Sequence, residues 1–211
     1  MSEAPQQARA GGGGDARPPG SGRRTDGRPG RELRGIGAGT LRAALPAAMG
    51  VPAAAGGEPP ADRVRLVVIG SDHGGWEAKQ LLKTYLETVG YRITDVGTNS
   101  KDSVDYPDFA VRVARTVASG ACDRGIMIDG AGIGSSMVCN KVRGIRASLC
   151  YDLKTVVNSR EHNNANVLTL GGPLHRPDEL CEMARVWLET RFAGGRHWAR
   201  VNKMMAVERG S

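Results

Sequence analysis

The sequence predicts an α/β protein with a five-stranded parallel sheet covered by helices on both faces, preceded by a disordered N-terminal extension. Three observations lead there. Residues 1–62 are dominated by Gly, Ala, Pro and Arg, with runs such as GGGG and RPPG and no aromatic residue. Such a stretch cannot bury enough apolar surface to offset its conformational entropy. From residue 63 onward, short β-branched runs alternate with segments of helical period, the rhythm of successive β-α-β units. The stretch 63–211 is also of ordinary size for one compact domain.

The elements follow in order. Residues 65–70 (RLVVIG) read as a buried strand ending in glycine, with Ser71 and Asp72 as cap-type residues behind it. Residues 76–89 set Leu81, Leu82, Tyr85, Leu86 and Val89 at helical spacing, and Gly90 closes the helix. A second strand is expected at 91–96, then a helix at 109–118 with Val113 and Val117 on one face. Residues 125–128 (GIMI) form a third strand that runs into a glycine-rich turn, and 136–142 is helical. Residues 146–150 (RASLC) form a strand, 153–160 a helix, and 167–170 (VLTL) the fifth strand. Residues 178–191 carry Leu180, Met183, Ala184, Trp187 and Leu188 on one stripe of an amphipathic helix. In parallel sheets a ligand lies beyond the carboxyl ends of the strands, so residues that follow strands are the first candidates for chemistry.

Composition narrows the class. The net charge is +7; eight Arg against six acidic residues leave +2 on 1–62, and 21 basic against 16 acidic leave +5 on the rest. That balance suits a small anionic ligand, and no dense Lys/Arg stripe with interleaved aromatics argues for nucleic acid. Cys122, Cys139, Cys150 and Cys181 have neither CxxC spacing nor paired histidines, which speaks against a zinc site or a disulfide framework and for a reducing compartment. No run approaches the length of a membrane span, and no uninterrupted apolar core marks a secretory signal. A cytoplasmic location is expected, without nucleic-acid or membrane partners.

Four motifs could carry chemistry. In SDHGG (71–75), Asp72 and His73 stand at a strand's carboxyl end before a helix, placed for a hydroxyl or a phosphate; the competing reading is a helix cap beside a surface histidine. In DGAGIGSS (129–136), Gly130, Gly132 and Gly134 let the backbone approach a ligand and offer consecutive amides to an anion, although any glycine-rich turn looks similar. In REHNNAN (160–166), His162 and Asn163 offer an acid/base group and an amide, or else a polar loop. In GGRHWAR (194–200), Arg196 and Arg200 share a helix face and could fork a phosphate, or simply lie in solvent.

In this order, SDHGG, DYPD (105–108), GAGIGSSMVCNK, GIRA (144–147), EHNNAN and GGRH resemble the ribose-5-phosphate isomerase B / galactose-6-phosphate isomerase family over essentially all of 63–211. The resemblance implies a Rossmann-like three-layer sandwich and no metal or other cofactor. It also implies a homodimer or dimer of dimers with the site at the subunit interface. The activity it implies is interconversion of an aldose and a ketose phosphate through an enediolate, ribose 5-phosphate to ribulose 5-phosphate first. A catalytically impaired phosphosugar-binding subunit, or an isomerase for another five- or six-carbon sugar phosphate, is the alternative. Residue by residue, Asp72 would hold a sugar hydroxyl, His73 a phosphate or hydroxyl, and Tyr106 would line the sugar pocket. Amides from Gly130 to Gly134 would hold the enediolate. His162 would open the furanose ring beside Asn163, and Arg196 and Arg200 would bind the phosphate.

Three positions depart from the family. Asp129 stands where many members carry a cysteine base, Ala131 where a threonine is usual, and Pro173 where an arginine often binds phosphate. Ser135 occupies the place of a glutamate base in a subset of members, and an aspartate at the position of Asp129 also occurs in one galactose-6-phosphate isomerase subunit type. Asp129 is therefore the expected base, ionised at neutral pH without an activating neighbour; the competing reading is that it caps the helix that follows. Cys139 lies too far along the chain to take over the role. Within the extension, Leu33, Ile36, Leu41, Leu45 and Met49 outline a short amphipathic stretch. It reads as a docking or targeting segment for an organelle or a protein compartment, or as a solvated tail.

Overall fold

The computed structural model describes residues 64–210, and the expected extension over 1–62, with its amphipathic stretch, lies outside them. In chain order the elements are β1 (Leu66–Ser71), α1 (Trp76–Thr88), β2 (Arg92–Asp95), α2 (Tyr106–Ala118), β3 (Arg124–Asp129), α3 (Ile133–Cys139), β4 (Ala147–Leu149), α4 (Leu153–Glu161), β5 (Val167–Gly171), a 3₁₀ turn (Gly172–Leu174), α5 (Pro177–Glu189) and α6 (Arg196–Val207). All strand pairs are parallel, in the order β2-β1-β3-β5-β4.

Alternation along the strands divides the core between the two faces. Val67 and Ile69 of β1, Ile126 and Ile128 of β3, and Leu168 and Leu170 of β5 pack with Leu82 and Leu86 of α1, Val156 of α4 and Trp187 of α5. The intervening Val68, Met127 and Val167 face Ala110, Val113 and Ala114 of α2 and Cys139 of α3. Burial on both faces is why these strands read as continuous apolar runs rather than alternating ones. Each fully buried aliphatic side chain contributes roughly 1.5–3 kcal/mol. The short edge strand β4 is held from outside the sheet by Asn140, whose side-chain oxygen accepts from Ala147 N and whose amide donates to Ala147 O, both at 2.9 Å.

Two helices begin earlier than their sequence pattern suggested. The helix expected from 109 begins at Tyr106, because Pro107 sits in its first turn, where a missing N–H costs nothing. The helix expected over 136–142 begins at Ile133, straight off the glycine turn, and ends at Cys139. Gly132, with φ +77°, makes that direct entry possible, and a Cβ there would stand 2.9 Å from the Leu170 backbone. Helix α6 was foreseen merely as the helical spacing of two arginines; His197 and Val201 are its buried residues, so its apolar pattern is faint. Among the described residues no helix is long and apolar enough to cross a membrane.

Candidate active site

The strand order reverses at β1, which has β2 on one side and β3 on the other. The crevice at such a switch point lies beyond the carboxyl ends of β1 and β3. Asp72 and Asp129 sit there, tied through the backbone by Asp72 N donating to Ile128 O at 3.2 Å. The Asp72 carboxylate caps its loop by accepting from Gly75 N at 2.9 Å. Burial, with the charge of Asp129 adding to it against the opposing Gly75 amide, holds the Asp72 carboxyl above the usual carboxylate range. Exposed His73 has its Nδ1 3.2 Å from both the amide and the carbonyl of Val104, which ties the loop to the segment before α2.

Asp129 is 5% exposed, and its carboxylate organises the glycine turn. Oδ1 accepts from Ala131 N at 2.8 Å and from Gly132 N; Oδ2 accepts from Ser135 N at 3.2 Å and from the Ser135 hydroxyl. The amides of Ala131 and Gly132, expected to face an enediolate, are thus committed to Asp129, whereas its hydrogen bonds do not involve those of Gly130 and Gly134. Tyr106 lies on this turn: a Cβ at Gly134 would come within 2.5–2.7 Å of the phenol ring, so a larger residue there requires the exposed ring to shift. Tyr151 closes the other side, its hydroxyl donating to Ala131 O at 3.0 Å.

His162, Asn163, Arg196 and Arg200 form a second group. His162 caps the carboxyl end of α4 and stacks on His197 of α6, ring centroids 4.3 Å apart and 8° from parallel. The turn is anchored from below by buried Arg160, whose guanidinium donates to Thr190 O, Asn164 Oδ1 and Ala165 O. Burial, then the like charges of Arg124 and Arg146, lowers the Arg160 pKa to about 9. Exposed Arg196 and Arg200 lie on the first turns of α6, which is joined to α4 by Ala193 N donating to Glu161 O at 3.0 Å. Burial, followed by His162 and the two guanidinium groups, holds His197 below the ordinary histidine range.

The two groups occupy opposite ends of the sheet. Asp129 pairs with Gly171 where β3 and β5 finish, whereas Gly125 N takes Asn166 O where they start. Residues 162–166 lie at that starting edge, because α4 runs back along the sheet between β4 and β5. The five residues of β5 span about 16 Å. One protomer therefore brings Asp72, His73, Asp129, Tyr106 and the glycines together, and separately His162, Asn163, Arg196 and Arg200, without bringing the two sets to each other.

Sequence reasoning passed over Asn158, His197 and Tyr151 as site residues. Asn158 carried a usable signal, since it precedes His162 by four and helical residues so spaced are neighbours. Among the described residues no group of three His, Cys, Asp or Glu is placed to hold a metal. The four cysteines are buried free thiols; burial pushes Cys139 up to about 12, so it is no thiolate.

The ribose/galactose isomerase family matches residues 67–204. The chain is 37% identical over 145 residues to ribose-5-phosphate isomerase B of Escherichia coli, covering 69% of this chain and 97% of that one. It is similar to the ribose-5-phosphate isomerase B structure from Clostridium thermocellum, with TM-score 0.68, 46% identity and 69% and 98% of the two chains covered. It is likewise similar to ribose-5-phosphate isomerase B from Mycoplasma genitalium with bound ribulose-5-phosphate, with TM-score 0.67, 36% identity and 71% and 99% covered.

Proposed function

Because this chain belongs to the ribose/galactose isomerase family and is an aldose–ketose isomerase of sugar phosphates, we propose that its substrate pair is ribose 5-phosphate and ribulose 5-phosphate. That pair is in keeping with the names of relatives that match it over almost their whole length. We place the reaction at a homodimer interface, with the mouth around Asp72 and Asp129 from one subunit and the partner subunit's His162, Asn163, Arg196 and Arg200 opposite it. The observation that carries this reading is the separation of the two groups to opposite ends of one sheet. A two-fold pairing lets each end complete the other's site. Exposed Ile133, Met137, Tyr151 and Leu153 surround the mouth and supply apolar surface for such a contact.

In this reading the phosphate sits between Arg196 and Arg200. Ring opening breaks the bond from C1 to the ring oxygen, which keeps the electron pair. His162 relays one proton, giving it to the ring oxygen and taking one from the C1 hydroxyl, which becomes the aldehyde. Asp129 takes the proton on C2; the pair left behind forms the C1–C2 double bond, and charge moves to O1, close to the amides of Gly130 and Gly134. Return of the proton to C1, with one proton passing from O2 to O1, yields the ketose.

A second reading draws on the four hydrogen bonds at Asp129: there Asp129 only shapes the turn, and Asp72, with its raised carboxyl, moves the proton. A panel of aldose phosphates, scored for exchange of the C2 proton with solvent and with His162→Ala as control, tests the substrate. Fastest exchange with a six-carbon aldose phosphate would overturn the ribose assignment.

A further inference from the structure

Ring opening asks for one imidazole nitrogen aimed at the sugar, in a defined plane and with its proton in place. The Asn158 side chain lies 2.9 Å from His162 Nδ1. Asn163 Nδ2 reaches both the side-chain oxygen and the carbonyl of Asn158 at 3.3 Å. That contact turns the Asn158 oxygen toward Asn163 and its nitrogen toward the imidazole. An amide nitrogen only donates, so Nδ1 is the acceptor and the ring proton rests on Nε2. On the face of the ring lies His197, 7% exposed and nearly parallel at 4.3 Å.

We infer that Asn158 and His197 are positioning residues for the His162 ring-opening step: Asn158 occupies Nδ1 and leaves Nε2 as the working nitrogen, and His197 fixes the plane in which Nε2 points. The inference rests on the isomerase reading and deepens it. Charged groups on both packed elements bear on the pair: Glu161 precedes His162 on α4, and Arg196 and Arg200 flank His197 on α6. Burial first, then His162 and the two guanidinium groups, disfavour the charged form of His197.

The chemistry supplies a discriminating test. Ribose 5-phosphate is mostly a closed ring, whereas ribulose 5-phosphate, with C5 esterified, cannot close a five-membered ring and is always open. Exchange of a C1 proton of ribulose 5-phosphate with deuterated solvent passes through the enediolate without ring opening. Asn158→Leu and His197→Ala should each lower turnover of ribose 5-phosphate by about tenfold or more, in line with the loss of a residue that orients a reacting group. Both should leave C1 exchange within about twofold of the parent, because the enediolate step does not use them. His197→Phe, which keeps a ring in the stack, should retain most turnover. Asn158→Asp, whose carboxylate can only accept and so draws the ring proton onto Nδ1, should lose turnover as Asn158→Leu does. Asn158 is exposed, so its replacement removes no core packing. Equal loss of turnover and exchange in the Asn158→Leu variant would overturn the inference. Absence of C1 exchange in the unmodified protein would instead overturn the isomerase reading beneath it.

Discussion

The carboxylate of Asp129 accepts both hydrogens that Ser135 offers, one from its backbone amide and one from its hydroxyl. With Ala131 N and Gly132 N on the other oxygen, the side chain that sequence comparison puts in the place of a base also holds the glycine turn in shape.

That double duty separates two variants. Asp129→Asn turns one acceptor into a donor facing other donors, which costs about 1–3 kcal/mol of stability. If Asp129 is the base, the folded variant loses C2 proton exchange by at least about a hundredfold and still binds phosphosugar. Ser135→Ala removes one hydrogen bond, costs about 1 kcal/mol, and should lower kcat with little change in KM. Denaturant titration and exchange measured on the same samples separate folding from chemistry.

Asp72→Asn tests the other carboxylate. Its folded pKa is raised above the unfolded value of 3.8, so the folded chain holds the proton more tightly. That preference costs stability as pH rises through the folded pKa, and the cost is complete at neutral pH. The neutral amide keeps an oxygen to accept from Gly75 N and removes the buried charge. The variant should therefore melt somewhat higher than the parent at pH 7 and bind sugar phosphate more weakly, a trade expected at a functional site. A lower melting temperature would contradict this assignment.

Much of the fold was legible because the strands and long helices carry strong patterns, as in the buried runs around Ile69 and Ile128 or the stripe ending at Leu188. The start of α3 was not, since Gly132 and Gly134 lower helical propensity and the helix begins only through a left-handed residue and the carboxylate of Asp129, four positions before Ile133. Helix α6 was faint because it buries little besides His197 and Val201. For the site, motifs named the residues and their resemblance suggested roles. The separation of Asp129 from His162 follows from the direction in which α4 returns along the sheet, which no short motif encodes. The occupation of the Ala131 and Gly132 amides by Asp129 was equally hidden.

The contact between Tyr106 and Gly134 makes a packing prediction. Gly134→Ala puts a methyl against the far end of the exposed Tyr106 side chain, which has to shift, so the cost falls at or below the low end of the roughly 1–3 kcal/mol of core overpacking. Combining it with Tyr106→Ala should cost less than the sum of the two single changes, read by chemical denaturation. Additive losses would mean that the ring leaves the turn freely.

His197 gives a pH signature. Its folded pKa is held below the ordinary histidine value of 6.5, so the unfolded chain binds the additional proton as pH falls through that region. Stability contributed by the neutral ring is present above about pH 6.5 and is lost between there and the lower folded value. His197→Gln should flatten this part of the stability–pH curve; an unchanged curve would contradict the assignment.

The central claim is that a working site needs the Asp129 end of one subunit and the His162 end of its partner. Asp129→Asn and His162→Ala homomers, each inactive, can be denatured together, refolded and assayed for ribose 5-phosphate turnover. Random pairing leaves one intact site in half of the dimers, so activity should return to about a quarter of the parent level. A mixture that stays as inactive as its two components, while forming mixed dimers, would contradict the shared site.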